Sequence, residues 1–206
     1  MGFYAKYVLP RLIDLAMRNK DVTGLRKECV PRAEGEVLEI GIGSGLNLPF
    51  YSAKVQHVYG VDPSLELQRM TAKKIPAMPF PVSLFRQPAE TPLPLADASV
   101  DTVIMTWTLC SIPQPEAALN QIRRVLRGSG RLIFVEHGRS PDAPVVAWQD
   151  RLTPLWSRCA GGCHLNRKID DLLRGSGFQI AELKSYYLSG PRPMTYTYKG
   201  WAKPQP

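Results

Sequence analysis

The chain predicts an α/β domain, doubly wound around a mostly parallel sheet of seven strands, and three observations predict it. Short apolar runs alternate with helix-period stretches from residue 34 onward, the pattern of strand-helix units in a parallel sheet. A glycine-rich turn, Gly41-Ile-Gly43-Ser-Gly45, directly follows the apolar run Val37-Leu38, where such a sheet turns its first strand toward a ligand. Near the end, Phe178 to Tyr187 and Met194 to Lys203 read as two strands joined by Leu-Ser-Gly-Pro-Arg-Pro, an antiparallel hairpin.

Five strands are expected before that hairpin, near 36–40, 57–62, 82–86, 101–106 and 131–136. Helices are expected near 46–52, 64–74, 115–127 and 166–175, the last starting at an Asn166 cap. Residues 1–33 form a separate amphipathic arm in which Phe3, Tyr4, Tyr7, Val8, Leu12, Leu15 and Ala16 recur at helical spacing. Residues 34–206 form the main domain, with an insertion over 138–165. Proline-rich stretches from Pro76 to Pro94 and from Lys203 to Pro206 read as loops, and no internal repeat is present.

A chain of 206 residues with 44% apolar composition fits one domain with a sizeable core. No apolar run approaches the roughly 20 residues of a membrane span, and no signal-peptide core precedes the arm, so a cytoplasmic protein is expected. Cys29, Cys110, Cys159 and Cys163 follow no disulfide framework and are expected to be reduced. Half of the net charge of +8 lies in residues 1–32, where seven basic residues face three acids. Without a run of five or six basic residues, nucleic acid is not an expected partner. Two roles are open for the arm. It packs on the domain and caps the ligand turn, or residues 1–30 make peripheral contact with anionic lipid. Met1-Gly2 is no myristoylation signal, because position 6 is Lys.

The spacing of the glycine turn selects its ligand. A dinucleotide turn, G-x-G-x-x-G, would have a third glycine where this chain has Leu46. Glu39, two residues before the first glycine, would repel a pyrophosphate and attract a cation. Asp62, in Val58-Tyr-Gly-Val-Asp62, is the next acidic strand end. The arrangement resembles the first motif of class I S-adenosylmethionine-dependent methyltransferases. That resemblance implies that Glu39, Gly41, Gly43 and Gly45 hold the methionine end of the cofactor S-adenosylmethionine, and that Asp62, followed by Pro63, accepts the ribose hydroxyls. Pro92 to Asp101 and Arg124 to Leu132 are similar to the family's quinone-ring and small-molecule branch, and the likeness runs over roughly residues 34–137. Where many relatives carry an Asp that reads the adenine amine, this chain has Gln87-Pro-Ala89-Glu90. Ala89 is expected to offer backbone contacts there, with Glu90 or Gln87 supplying the side chain.

Residues after the fourth and fifth strands should face the transferred methyl, since ligands sit outside the carboxyl ends of such strands. These are Thr106-Trp-Thr-Leu-Cys-Ser111 and Glu136-His137, with Thr106 on the cofactor side. Leu109-Cys-Ser111, Glu136-His137, Pro154-Leu-Trp156 and Gly162-Cys163 with Arg167 look like the methyltransferase-like thiol methyltransferase subfamily. Animal members carry a membrane anchor before the catalytic domain; here only the amphipathic arm is expected. A thiol acceptor near pKa 8.5 needs modest help to ionise. His137 is the expected base, His164 the second choice, and Arg167 the stabiliser of the thiolate. Cys110, Glu136, Trp148, Trp156 and Cys163 are expected to line the acceptor pocket. Cys159, Cys163 and His164 supply three ligands without a second cysteine pair, so no metal is expected. A quinol, phenol or phospholipid amine is the alternative acceptor, and a non-catalytic cofactor-binding module the alternative class. Thr106 to Leu109 does not match the Pro-Pro signature of amino-group nucleic-acid enzymes.

Overall fold

The computed structural model describes residues 4–205; Met1, Gly2, Phe3 and Pro206, named above, lie outside the described residues. Seven strands, β1 (Gly35–Ile40), β2 (Val55–Val61), β3 (Val82–Phe85), β4 (Val100–Thr106), β5 (Leu126–His137), β6 (Phe178–Tyr187) and β7 (Tyr196–Pro204), form one sheet in the order β3-β2-β1-β4-β5-β7-β6. β1 to β5 pair in parallel, and β7 runs antiparallel to both β5 and β6. The chain winds outward in opposite directions from β1 and from β4, which opens a crevice above their carboxyl ends.

Period-2 alternation distributes the apolar side chains between two cores. Leu38, Ile40, Val103, Met105, Leu132 and Phe134 face one layer, covered by α4 (Pro115–Val125) and α6 (Ile169–Gly175). Val37, Val58, Ile104, Ile133 and Val135 face the other, where Leu25 and Cys29 of α2 (Lys20–Cys29) pack with Val30, Leu48 and Tyr51. Full burial of a side chain such as Ile104 or Phe134 stabilises the fold by about 2–3 kcal/mol. Asn19 caps α2 by accepting the Val22 N–H, and Ser64 caps α3 (Leu65–Ala72) by accepting from Leu67.

Three expected elements differ. The helix over 46–52 is only a 3-10 turn at Leu48–Phe50, because Pro49 would remove an interior helical N–H and clash with the preceding turn. The crossover from β1 to β2 therefore has no helix, and α2, which precedes β1, covers that face. The helix at 166–175 starts at Ile169: Asn166 donates to Asp150 Oδ1 at 2.7 Å instead of capping. The last strand starts at Tyr196, after a short helix, α7 (Arg192–Thr195), that Pro191 and Pro193 initiate.

The expected arm holds two α-helices among the described residues. A π-helical turn at Tyr4–Val8 leads into α1 (Leu9–Ala16), and α2 follows. The buried Lys199 of β7 donates to both carboxylate oxygens of Glu28 at 2.7 Å, tying α2 to the sheet. On α1, Leu12 and Leu15 are exposed. Among the described residues, no helix is long and apolar enough to cross a membrane. The 138–165 insertion is dominated by α5 (Ala143–Cys159), docked through Gln149. That fully buried amide accepts from Ser140 N and donates to the carbonyls of Gly138 and Pro193.

Candidate active site

The glycine turn expected to hold the donor follows β1. Gly41, Gly43 and Gly45 all have left-handed φ (69°, 57° and 70°), which glycine adopts without a β-carbon penalty. At Gly41 a β-carbon would also collide with the Thr108 side chain, so the first glycine lets the loop after β4 close on the turn. At Gly43 a β-carbon would meet only the Gly41 carbonyl, at 3.7 Å, which leaves an open approach to that backbone. Asp62 Oδ2 accepts the Gly43 N–H at 3.0 Å and Oδ1 the Ser64 N–H at 2.7 Å, so the acid at the end of β2 sits against the glycine turn. Burial raises its pKa, and the two backbone N–H groups oppose that rise.

Glu39 is buried beneath the same turn. Its Oε1 accepts from Asn47 Nδ2 at 2.9 Å and its Oε2 from Tyr51 at 2.7 Å. Burial pushes the carboxyl up to about 7 against these two hydrogen bonds and the nearby Arg26 guanidinium. A buried acid held at its ionisation threshold favours a cation beside it, which fits the positive sulfonium of S-adenosylmethionine. Arg26 donates to Asn47 Oδ1 and to the Met17 carbonyl, while Asn47 also reaches Thr106 Oγ1 at 3.1 Å. One polar chain thus runs from α2 through the turn to the end of β4. Asp14 of α1 accepts from Ser44 of the turn and from Arg18. The arm closes on the ligand turn through these contacts.

Of the residues expected on the adenine side, Ala89 is buried and Glu90 half-buried, whereas the Gln87 amide donates within its own loop to Thr91 Oγ1 and the Pro92 carbonyl. Pro63 is exposed beside Asp62.

A second group of the expected site residues lies after β4 and β5. Trp107 leaves β4 with φ of 52°, a left-handed conformation that costs a non-glycine residue about 1–2 kcal/mol. Its N–H donates to Val135 O at 2.7 Å, and its ring lies 5.1 Å from the Arg26 guanidinium. Glu136, fully buried, accepts the N–H groups of Thr108 and Cys110 at 2.9 and 3.3 Å; it pins this loop instead of lining a pocket. Burial raises its pKa to about 7 despite these bonds.

Cys110, His137 and Cys163 converge there from three separate segments, their ligand atoms all within 4.8 Å of one another. The two Sγ atoms are 3.7 Å apart, and His137 Nδ1 is 3.7 Å from Cys163 Sγ. Hydrogen bonding with Cys110 and then with His137 holds the Cys163 thiol well below the ordinary thiol range, while the same pairing and burial push Cys110 up. Trp156 stands beside Cys163, its buried indole N–H short of a well-aligned hydrogen bond, and His137 Nε2 is buried without a partner.

Three expected roles change. Arg167 donates to the carbonyls of Leu109 and Ile112, so its guanidinium clamps the loop after β4 rather than reaching a thiolate freely. The His164 ring is hydrogen-bonded to the Gly162 carbonyl at 2.7 Å and lies outside the cysteine-histidine group. Trp148 is 55% exposed, with Arg151 over its ring, on the outer side of α5. Cys159 likewise turns back on its own helix, toward the Leu155 and Trp156 carbonyls, so Cys159, Cys163 and His164 do not assemble. Sequence reasoning missed Asn47, Tyr51, Arg26 and Asp14. Only the mismatch of Pro49 with a helix at 46–52 signals that Asn47 and Tyr51 face inward.

A model of the methyltransferase domain matches residues 38–134, from β1 through β5. The chain belongs to the class I S-adenosylmethionine-dependent methyltransferases, and S-adenosylmethionine is its cofactor. It is similar to thiol S-methyltransferase TMT1B of Rattus norvegicus, 31% identical over 175 residues, which cover 83% of this chain and 68% of that one. It is also similar to phosphatidylethanolamine N-methyltransferase of Cereibacter sphaeroides, 34% identical over 119 residues, covering 57% of this chain and 58% of the relative. Among solved structures, a SAM-dependent methyltransferase of Methanosarcina mazei superposes with a TM-score of 0.66 at 20% identity, over 82% of this chain and 92% of its own.

Proposed function

We propose that the chain transfers the methyl group of S-adenosylmethionine to the sulfur of a small thiol. The observation that carries this reading is the reach of the similarity to a thiol S-methyltransferase. It spans 83% of the chain, beyond the 38–134 of the domain model, whereas the match to the phosphatidylethanolamine enzyme covers 57%. The segments after β5 therefore favour sulfur over an amine. Glu39, the glycine turn and Asp62 hold the donor, whose contribution is an electrophilic methyl. Ala89 and Glu90 flank the adenine, and Thr106 orders the turn through Asn47.

The acceptor sulfur faces the Cys110, His137 and Cys163 group, beside Trp156. Transfer forms one carbon–sulfur bond to the acceptor and breaks one in the donor. The bonding pair stays on the donor sulfur, giving neutral S-adenosylhomocysteine, and the acceptor releases one proton. The cysteine-histidine group promotes loss of that proton; displacement by a positioned thiolate asks little else of the protein. Incubation with methyl-labelled donor and a panel of alkyl, aryl and inorganic thiols should yield labelled thioethers. Label appearing only in a phenol, quinol or phospholipid amine overturns the thiol assignment, and tight donor binding without turnover on any acceptor overturns catalysis.

A further inference from the structure

The convergence of Cys110, His137 and Cys163 has the dimensions of a metal site. With zinc–sulfur bonds of about 2.3 Å and zinc–nitrogen bonds of about 2.0–2.1 Å, tetrahedral angles set the S···S edge at about 3.8 Å and the S···N edge at about 3.6 Å. The two edges meeting at Cys163 are both 3.7 Å. The third, between Cys110 and His137, is within 4.8 Å. All three residues are held from behind. Cys110 is anchored by its N–H to Glu136 and its carbonyl to His164 N; His137 ends β5; Cys163 follows two left-handed glycines at φ 65° and 86°.

Arg167, the nearby guanidinium, already donates to the Leu109 and Ile112 carbonyls and does not enter the group. A soft sulfur and imidazole donor set selects zinc or a similarly thiophilic ion over magnesium or calcium.

We propose that Cys110, Cys163 and His137, through Nδ1, bind one thiophilic divalent cation, zinc being the fitting ion, whose fourth position takes the acceptor as a thiolate. Three protein ligands with one open position are the catalytic form of a zinc site. The fourth ligand rests on the thiol reading above; the three protein ligands do not. Zinc(II) replaces the proton of the acceptor thiol, which leaves to solvent, and no electrons change hands. In this arrangement His137 is a ligand and the metal supplies the deprotonation.

The test uses the full chain, freed of metal with a chelator under a non-thiol reductant, then equilibrated with zinc or cobalt(II). One metal per chain is expected, with a thiolate-to-cobalt charge-transfer band. Cys110→Ser and Cys163→Ser should lose at least about tenfold in metal affinity, while Cys29→Ser and Cys159→Ser keep it. Adding a thiol without donor should change the cobalt spectrum; adding a phenol or amine should not. Substoichiometric metal, or full affinity in Cys110→Ser and Cys163→Ser, overturns the site. Metal-free chain that methylates thiols at the full rate overturns its role and leaves the thiol reading standing. Stoichiometric metal whose spectrum ignores thiols, with methyl passing to a phospholipid amine, overturns the fourth ligand together with the thiol reading.

Discussion

Glu39→Gln isolates the energetic consequence of burying an acid under the donor turn. In the folded chain this carboxyl titrates at about 7, against 4.5 for the free side chain, because burial disfavours its charged form more than Tyr51, Asn47 and Arg26 favour it. The folded state therefore holds the proton more tightly than the unfolded state. The stability this gives is fully present below pH 4.5 and is lost as pH rises through about 7. The shift from 4.5 to about 7 corresponds to about 3 kcal/mol. Glutamine is neutral throughout, so the stability of Glu39→Gln relative to the parent should rise by about 3 kcal/mol between pH 4.5 and 8. Glu136 contributes in the same direction and Cys163 in the opposite one, but both are common to the two proteins and drop out of the difference. Urea unfolding of both, without cofactor, at half-unit steps across this interval measures it. Parallel stability curves over the whole range would refute the reasoning.

Asp62→Ala should weaken S-adenosylmethionine binding by about 1–3 kcal/mol through loss of charged hydrogen bonds, measured by calorimetry; unchanged affinity removes Asp62 from the ribose site. Gly41→Ala should cost about 1–2 kcal/mol of stability from its left-handed φ alone, with a further loss of donor affinity as Thr108 is pushed away. Thermal unfolding and donor titration read the two effects separately. Asp14→Ala releases Ser44 and Arg18, so it should raise the KM for donor with little change in kcat, and an unaltered KM would separate α1 from the donor turn.

The strands were readable because their alternation is local. Val37 and Leu38, Ile104 and Met105, Ile133 and Phe134 each divide between two faces that the sequence marks by period alone. The glycine turn and Asp62 were legible for a related reason, since left-handed glycines and a strand-end acid leave short-range signatures. The helix expected at 46–52 failed where one proline outweighed an apolar pattern, and Asn166 failed as a cap because a tertiary partner, Asp150, took its amide. The acceptor end was readable only in part. Cys110, His137 and Cys163 come from three segments, and the Cys110–Cys163 spacing carries no local motif, so tertiary proximity had no trace in sequence spacing. Arg167 and Trp148 were placed near the site by chain position, but hydrogen bonding to carbonyls and the outer helix face decided their roles.

The missing helix between β1 and β2 determines how the molecule comes apart. Because α2 fills the layer which that helix would occupy, with Val22, Leu25 and Cys29 buried, its amides should exchange with solvent only on global unfolding. α1, carrying exposed Leu12 and Leu15, should open on its own at lower free energy. A cut between these helices, near Asn19, thus divides the arm into a detachable cover for the glycine turn and a part of the packed core that cannot be removed without exposing Ile104, Ile133 and Val135.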